Sequence, residues 1–245
     1  LVSDTVYSRF RISTDASKIA TPTGAAPNGE VEDYVLMSLG NLLWFDNGTG
    51  TANNGLLDGG EQPVPAGVTL TLVVSGTTTP IATTTTDASG HYTFTGLAQG
   101  NYQVIVAASN FQPGGKLVGY VGSTGQDSGD STDNNDNGAD VSNPALSGIP
   151  SNGVTLTLGS EPTNDGNGAN SNLTVDFGLY KLLVGDSIWN DLNNNGVYDS
   201  GEPPLPNVPV TLLDNGGKVI FMKYTESNVI YTFTGLISGT YVISV

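Results

Sequence analysis

The sequence has no cysteine and a single histidine, and it carries 7 Lys and Arg residues against 23 Asp and Glu residues. Without cysteine there is no disulfide scaffold, no cysteine zinc site and no thiol nucleophile, and His-based catalytic triads are nearly excluded. The formal net charge of −16 opposes binding to nucleic acid, which needs a basic face. No apolar run approaches the length of a membrane-spanning helix, so we expect no membrane insertion in this segment.

Charged residues make up only 12% of the chain, whereas there are 33 Gly and 13 Pro residues. Long surface helices need a charged face toward water, so this composition disfavours them. Residues 69–74 alternate in the period-2 pattern of half-buried strands. Eight Asn-Gly pairs, at Asn28, Asn47, Asn54, Asn137, Asn152, Asn167, Asn195 and Asn215, supply turn signals. The sequence therefore predicts an all-β fold of β-sandwiches with Greek-key connections.

An internal repeat sets the layout of the chain. Four blocks recur in one order, about 140 residues apart: residues 40–48 as 185–193, 53–63 as 194–204, 68–72 as 208–212, and 92–104 as 231–243. The first 37 residues differ in composition and contain the alternating stretch around Arg9 and Arg11. We predict the closing strands of a separate β domain at 1–37, a complete sandwich at 38–181, and the first part of a second sandwich at 182–245.

The strongest chemical motif is a twelve-residue loop in the second module. Oxygen-bearing residues occupy positions 1, 3, 5, 7, 9 and 12 of an EF-hand-type calcium loop: Asp191, Asn193, Asn195, Val197 through its carbonyl, Asp199 and Glu202. Gly196 at the sixth position permits the sharp turn, and Glu202 can supply two oxygens. The alternative interpretation is an Asn/Gly-rich turn with solvated acids.

The flanks of this loop are not those of an EF-hand. Trp189 precedes it within a strand-like run, and Pro203, Pro204 and Pro206 follow it. Since proline disfavours a helix on the exit side, we predict an EF-hand-like calcium loop on a β scaffold, without a calmodulin-type opening switch.

Two further loops are candidate calcium sites. The first module repeats the motif with an insertion within residues 47–53, which leaves the third ligand unassigned. Its candidate ligands are Asp46, Asn54, Leu56 through its carbonyl, Asp58 and Glu61. A third loop offers Asp133, Asn135 and Asn137 before Gly138, with Asp127, Asp130 or Asp140 to complete the set. A plain acidic loop is the alternative there, and the Asp165 loop is a weaker candidate.

The motif string resembles the B-type domains of Sdr-like bacterial surface adhesins. It comprises the GDSIW block with its calcium loop, VTL, YTFTGL, and LTVDFGLY at residues 173–180, where Asp176 belongs to the closing-strand motif. GEVEDY at residues 29–34 resembles the end of a GEVED domain. The resemblance implies calcium-rigidified Ig-like β-sandwiches, strung as stalks on the bacterial cell surface.

These observations predict a structural extracellular protein and not an enzyme. Its tandem Ig-like modules, stiffened by Ca²⁺, would form a surface stalk or a filament subunit. The expected partners are neighbouring modules or copies of the same protein. In a more specific version of this hypothesis, one copy joins the next by strand addition. The alternative is an adhesin module that binds host or carbohydrate ligands, which solvent-exposed aromatic clusters would favour; Trp44 and Trp189 are expected in the core.

Overall fold

The computed structural model describes residues 6–21, 23, 30–47, 51–124, 131–226, 230–236 and 239–245. Over these ranges the chain is nearly all-β, as predicted, with one short helix, α1 (Pro144–Ser147), and two 3-10 turns at Ala16–Lys18 and Ala108–Phe111. The strands in chain order are β1 (Val6–Ile12), β2 (Glu30–Phe45), β3 (Gln62–Pro63), β4 (Thr69–Val74), β5 (Pro80–Thr85), β6 (His91–Leu97), β7 (Gly100–Val106), β8 (Val121–Gly122), β9 (Ile149–Pro150), β10 (Val154–Leu156), β11 (Ser171–Asn172), β12 (Phe177–Tyr180), β13 (Leu182–Ser187), β14 (Pro209–Asp214), β15 (Val219–Tyr224), β16 (Ile230–Leu236) and β17 (Tyr241–Ser244).

The first module is a sandwich of two sheets around one core. In one sheet β2 pairs with β1, β3, β6, β11 and β12, and β12 also pairs with β8. The other sheet has the order β10-β7-β4-β5, with β9 on β7. Leu39 and Phe177 from the first sheet share a buried cluster with Leu72 and Val104 from the second. The predicted β-sandwich is therefore confirmed for this module.

Alternation along single strands explains which side chains form this core. In β4, Leu70 and Leu72 are fully buried, whereas Thr69 and Thr71 are half-buried on the opposite face. Successive side chains of a strand point to opposite faces of the sheet, so Leu70 and Leu72 enter the core. The alternation ends at the register shift between Leu72 and Val73, beyond which Val73 is buried and Val74 is exposed. Burying a leucine side chain contributes roughly 1.5–3 kcal/mol.

Strand β2 runs without interruption through the predicted boundary at residue 37. Its first part pairs with β1, in a register that ends at Val6 opposite Leu36. Its second part pairs with β6, and the register shifts between Met37 and Ser38. The boundary thus coincides with a local irregularity inside a continuous strand, and the division into three parts stays a prediction.

The second module repeats the strand pattern of the first. Strands β13 and β16 pair with each other, and β14 lies between β15 and β17. Their buried core contains Val210, Leu212, Tyr231, Phe233 and Leu236. A β-carbon added to Gly185 would lie 2.1 Å from the Tyr231 carbonyl oxygen, and one added to Gly40 would lie 2.3 Å from the Tyr92 carbonyl oxygen. The two modules therefore share the close approach of β13 to β16 and of β2 to β6.

A single residue, Lys181, separates β12 from β13. Its ammonium nitrogen lies 4.5 Å from the centroid of the Tyr120 ring, and that ring stacks on Phe45 at 4.5 Å between centroids. This cation–π contact holds the linker against the first module. Among the described residues, no helix has both the length and the apolar character needed to cross a bilayer.

Candidate metal centre

The predicted calcium loop of the second module is closed at its base by backbone pairing. Trp189 bridges Pro204 in antiparallel fashion, and the N–H of Asn190 donates to the Pro203 carbonyl at 2.9 Å. These contacts hold the two ends of the loop together on the β scaffold. No helix follows the loop on its exit side, as the sequence predicts, since Pro203 and Pro204 are not helical and Pro206 lies in a turn.

The predicted side chains of this loop converge on one another. The side-chain amides of Asn193 and Asn195 both donate to Oδ2 of Asp199, at 2.8 and 2.7 Å. Glu202 accepts the N–H of Leu192 with Oε1 at 3.0 Å and the N–H of Asp199 with Oε2 at 3.0 Å. Glu202 is buried although it carries a carboxylate. The loop therefore gathers these four side chains into one place.

Asp191, at the first position of the loop, is held by backbone N–H groups. Its Oδ2 accepts the N–H of Gly196 at 2.7 Å, and its Oδ1 accepts the N–H of Asn195 at 3.2 Å. These hydrogen bonds lower the pKa of Asp191 because they favour the charged form, and the bond from Gly196 has the largest effect. The turn needs left-handed backbone at Gly196, where φ is 75°, and glycine adopts it at little cost.

The seventh position is predicted to offer a carbonyl oxygen. The N–H of Val197 donates to Oδ1 of Asn195 at 2.7 Å, and the Val197 side chain is exposed. In the described part of the chain no hydrogen bond engages the Val197 carbonyl. Trp189, expected in the core, is only half-buried and packs on Tyr198 at 5.5 Å between ring centroids, whereas Trp44 is fully buried as expected.

The loop of the first module reproduces the geometry around its first residue. Asp46 is fully buried. Its Oδ2 accepts the N–H of Gly55 at 2.8 Å, as Asp191 accepts that of Gly196, and its Oδ1 accepts the N–H of Asn53 at 2.6 Å. The hydroxyl of Ser123 also donates to Oδ2 of Asp46, a contact that the sequence motif did not predict.

The remaining predicted residues of this loop also match their counterparts. The side-chain amide of Asn54 donates to Oδ2 of Asp58 at 3.3 Å, and Oε2 of Glu61 accepts the N–H of Asp58 at 3.1 Å. The N–H of Leu56 donates to Oδ1 of Asn54 at 2.9 Å. Oδ1 of Asp58 is buried and has no hydrogen bond to any described residue. The unassigned third ligand falls in the insertion, where residues 48–50 lie outside the described ranges.

The third candidate loop uses two of its predicted ligands in hydrogen bonds with the sandwich. Oδ1 of Asp133 accepts the side-chain amide of Asn41 at 2.7 Å, and Oδ1 of Asn137 accepts the N–H of Asp176 at 2.7 Å. Asn135 lies opposite Leu56 in an isolated antiparallel bridge. Asp127 and Asp130 lie outside the described residues. The structure thus assigns Asp133 and Asn137 a role in anchoring this loop.

Asp136, which the motif did not single out, is the most constrained acid of the third loop. It is fully buried, and its Oδ1 accepts the N–H groups of Gly138 at 2.8 Å and Gly178 at 3.1 Å. Its Oδ2 is buried and has no hydrogen bond within the described chain. Burial raises the pKa of Asp136 well above its ordinary value, and the charges of Asp140 and Asp46 raise it further, against the two N–H donors.

Asp176 in the closing-strand motif lies beside this loop. It is fully buried, with Oδ1 accepting the N–H of Leu42 at 3.0 Å and Oδ2 accepting the N–H of Asn134 at 2.8 Å. Burial raises the pKa of Asp176, and the charge of Asp133 adds to that shift. We call Asp46, Asp136 and Asp176 the buried acidic cluster. Sequence patterns missed it because its members come from three separate segments.

The oxygen atoms gathered in these loops are of the kind that Ca²⁺ prefers, namely carboxylates, amides and carbonyls. By side chains alone, however, the described residues contain no group of three or more His, Cys, Asp or Glu placed to hold a metal ion. Any ion in these loops would thus need amide or carbonyl oxygens as well. The weaker candidate, Asp165, instead accepts the N–H groups of Asn167 at 2.9 Å and Leu173 at 2.8 Å.

Comparison with known proteins identifies relatives of the chain. The family model described as the SdrD B-like domain matches residues 37–143 and 182–245, which is more than half of the chain. The serine-aspartate repeat-containing protein F of Staphylococcus epidermidis is 35% identical over 212 residues, covering 85% of this chain and 11% of that protein. The serine-aspartate repeat-containing protein D of Staphylococcus aureus strain Newman is 35% identical over 207 residues, covering 83% of this chain and 13% of that protein.

Solved structures give weaker likenesses. The Bacillus anthracis TIE protein aligns with a TM-score of 0.30 at 12% identity, covering 97% of this chain and 36% of that one. The minor pilin GBS52 of Streptococcus agalactiae aligns with a TM-score of 0.28 at 14% identity, covering 84% of this chain and 82% of that one.

The chain spans about a tenth of the length of the staphylococcal relatives. These relatives are the serine-aspartate repeat proteins that the motifs predicted, and the predicted bacterial cell-surface location is confirmed with them. Given the family-model match over both repeats, this chain belongs to the SdrD B-like domain family.

Proposed function

We propose that this chain is a non-enzymatic structural segment of an extracellular protein. In this proposal its tandem Ig-like sandwiches are stiffened by Ca²⁺ in the Asp191–Glu202 loop, in the corresponding Asp46–Glu61 loop and at the buried acidic cluster. The segment then serves in a surface stalk or filament. Membership of a family built from such repeats supports this assignment.

The observation that carries the calcium proposal is a pair of buried carboxylate oxygens without hydrogen bonds to described residues, Oδ1 of Asp58 and Oδ2 of Asp136. Burying an ionised group is costly unless it is paired or coordinates a metal. The chain offers few cations for pairing, since it has 7 Lys and Arg residues against 23 acids. A divalent cation bound in each loop would supply the missing charge and take these oxygens as ligands.

Calcium would act on stability through linkage. A ligand that binds only the folded loop stabilises it by about 1.4 kcal/mol per site at ten times the dissociation constant. Extracellular modules bind calcium with dissociation constants on the order of 10⁻⁴–10⁻³ M. Millimolar calcium outside the cell would therefore fill such sites, and a chelator would empty them.

Stiffening of the stalk follows from where the first loop lies. The N–H of Asp46 donates to the Leu179 carbonyl at 2.9 Å, which fixes the loop to the end of β12. Only Lys181 separates that strand from β13 of the next module. An ion bound by Asp46 would therefore restrain the chain immediately before the junction, where a stalk is otherwise most able to bend.

The test is thermal unfolding of the whole chain in calcium and in EDTA, with magnesium as the control cation. We expect calcium to raise the melting temperature, to slow proteolysis and to bind with measurable heat in a titration. Magnesium should do less, because its octahedral geometry is stricter. An identical melting temperature in calcium and EDTA would contradict the calcium proposal.

In a more specific form of the proposal, the chain is the subunit of a filament. In the described chain β1 pairs only with β2, and β15 pairs only with β14, so each has a free edge that can take an added strand. Both strands carry exposed apolar side chains, among them Phe10 and Met222. Electron micrographs of purified material should show helical order if neighbouring copies add strands, and separate particles if they do not.

One observation favours the adhesin alternative. Phe10 and Tyr34 are exposed on the β1–β2 hairpin, and their rings meet edge to face at 5.7 Å between centroids. Exposed aromatic pairs of this kind offer a face to ligands such as sugar rings. Binding to a glycan array that is lost on Phe10→Ser substitution would support this function, and an unchanged signal would argue against it.

A further inference from the structure

Six Asn-Gly pairs have both residues in the described ranges. In four of them a carboxylate accepts the Gly N–H, as Oδ1 of Asp214 accepts that of Gly216 at 2.9 Å, and in the pairs at Asn152 and Asn167 none of the described residues does so. Asn-Gly is the dipeptide most prone to deamidation, because glycine offers no side chain to hinder attack by its own backbone nitrogen. In that reaction the Gly nitrogen loses its proton and bonds to the side-chain carbonyl carbon of Asn, and ammonia leaves. Water then opens the resulting succinimide to aspartate or isoaspartate. The reaction requires a free Gly nitrogen and a mobile Asn side chain.

In both predicted calcium loops the Gly nitrogen is held by a carboxylate. The N–H of Gly55 donates to Oδ2 of Asp46 at 2.8 Å, and the N–H of Gly196 donates to Oδ2 of Asp191 at 2.7 Å. Attack requires this hydrogen bond to break, and it creates negative charge on the nitrogen next to a carboxylate. Both effects raise the barrier, since hydrogen bonds to charged groups are among the strong ones.

The asparagine side chains of these pairs are also fixed at both ends. Oδ1 of Asn195 accepts the N–H of Val197 at 2.7 Å, and its Nδ2 donates to Asp199 at 2.7 Å. Oδ1 of Asn54 accepts the N–H of Leu56 at 2.9 Å, and its Nδ2 donates to Asp58 at 3.3 Å. Each side chain must break these hydrogen bonds before it can rotate freely into the geometry for attack.

The third candidate loop repeats this protection with other residues. The N–H of Gly138 donates to Oδ1 of Asp136 at 2.8 Å, and Oδ1 of Asn137 accepts the N–H of Asp176 at 2.7 Å. Asn137 is buried as well. In each of the three acidic loops an aspartate therefore accepts the Gly N–H of the Asn-Gly pair.

Asn167-Gly168 lies in the opposite environment. Within the described part of the chain the N–H of Gly168 has no hydrogen-bond partner, and the residue is exposed. With the described residues, the Asn167 side chain makes one long hydrogen bond, from Nδ2 to the Asp165 carbonyl at 3.3 Å. Asn152-Gly153 is similar, because the N–H of Gly153 has no partner among the described residues.

We propose that, among the Asn-Gly pairs whose two residues the structure describes, Asn167 and Asn152 are the deamidation sites. In this proposal Asp46 and Asp191, which begin the two predicted calcium loops, shield the Asn-Gly pairs of those loops. In this assignment Asp46 and Asp191 protect Asn54 and Asn195 from deamidation whether or not an ion is bound. Conversion of Asn167 to isoaspartate adds a backbone atom just before β11 (Ser171–Asn172), which pairs with β2.

The test is peptide mapping by mass spectrometry of the whole folded chain, kept in mildly alkaline buffer with EDTA so that no metal contributes to the protection. Asn167 and Asn152 should deamidate roughly 10–100 times faster than Asn54 and Asn195, as expected for breaking one hydrogen bond to a charged group. In urea, where the local structure is lost, the rates should converge. Equal rates for Asn167 and Asn195 in the folded chain would overturn the proposal.

A matched pair of variants isolates the carboxylate. Asp191→Ala removes the acceptor for Gly196 and should raise the rate at Asn195 toward that at Asn167, whereas Asp186→Ala removes an exposed acid of the same module and should leave it unchanged. Circular dichroism confirms that each variant is folded. An unchanged Asn195 rate in folded Asp191→Ala would refute the shielding role. If that variant does not fold, the comparison of Asn167 with Asn195 in the wild-type chain still decides.

Discussion

Asp46 and Asp136 form hydrogen bonds with the backbone N–H and the backbone carbonyl of the same residue, Gly55. Oδ2 of Asp46 accepts the N–H of Gly55 at 2.8 Å, and the N–H of Asp136 donates to the Gly55 carbonyl at 2.8 Å. The neighbouring N–H of Leu57 donates to the Asn134 carbonyl at 2.9 Å. Two loops that the sequence treats as separate calcium candidates are therefore one assembly, with both acids fully buried.

The first prediction concerns the charge of Asp136. In EDTA, Asp136→Asn should melt at a higher temperature than wild type, because the neutral side chain no longer repels Asp46 and Asp140. The same variant should lose part of the calcium-induced stabilisation, about 1.4 kcal/mol for one site at ten times its dissociation constant. Calorimetry in calcium and in EDTA measures both effects.

Asp186→Asn serves as its control, since Asp186 is exposed and lies outside the proposed sites. That variant should keep the full response to calcium. If Asp136→Asn responds to calcium as strongly as wild type does, Asp136 is not a ligand.

The second prediction separates the two modules. Glu202 accepts two backbone N–H groups through different oxygens, so Glu202→Gln retains one acceptor but loses the charge and one metal-binding oxygen. Calcium binding to the second module should weaken at least tenfold, in line with the role of the last acid in loops of this kind. Titration calorimetry should show one class of sites lost while the others persist.

Glu226→Gln is the matched control, because Glu226 is an exposed acid of the same module. Its titration should be the same as that of wild type. Loss of all calcium binding in Glu202→Gln would show that the sites are not independent, contrary to this prediction.

The loop residues could be predicted because their signals are local, and the repeat could be predicted because four blocks recur in one order along the chain. Oxygen-bearing residues at alternate positions of one turn converge on each other whatever the rest of the fold does, as Asn193, Asn195 and Asp199 illustrate. The β-sandwich also followed from alternation within single strands. The loop ligands and the strand alternation depend on residues that lie close together in the sequence.

The buried acidic cluster could not be predicted in this way. Asp136 is buried because β12 closes over it, and its partner Gly178 lies 42 positions further along the chain. Equivalent sequence positions also fail to guarantee equal burial. A β-carbon on Gly178 would lie 3.0 Å from the Trp44 ring, so β12 covers Trp44, whereas Trp189 is half-buried and meets Tyr198.

The third prediction concerns alkaline pH. The hydroxyl of Tyr92 donates to the Val175 carbonyl at 2.7 Å, and burial first, then the charge of Asp176, raises the pKa of Tyr92 well above its ordinary value. The stability that the neutral phenol contributes is present in full below the unfolded-state pKa of about 10, and it is lost as the pH rises above that value. Urea unfolding of the wild type should show this loss.

Tyr92→Phe should remove most of the alkaline loss and cost about 1 kcal/mol at neutral pH for the missing hydrogen bond. Tyr7→Phe, at an exposed position, should change neither quantity. An alkaline transition of the same size in Tyr92→Phe would assign the effect to another group.

The last prediction tests whether the two modules share one backbone geometry. Alanine at Gly40 or at Gly185 would place a β-carbon 2.3 or 2.1 Å from the carbonyl oxygen of Tyr92 or Tyr231, which is far inside contact distance. Each substitution should therefore destabilise its own module by roughly 1–3 kcal/mol or more, as overpacking does. Gly168→Ala is the control, since a β-carbon there has no atom within 4 Å, and it should leave stability nearly unchanged. Limited proteolysis followed by mass spectrometry reports which module opens: Gly40→Ala should expose residues of the first module and Gly185→Ala residues of the second. If either variant is as resistant as the control, the strands at that position are not packed as closely as their counterparts.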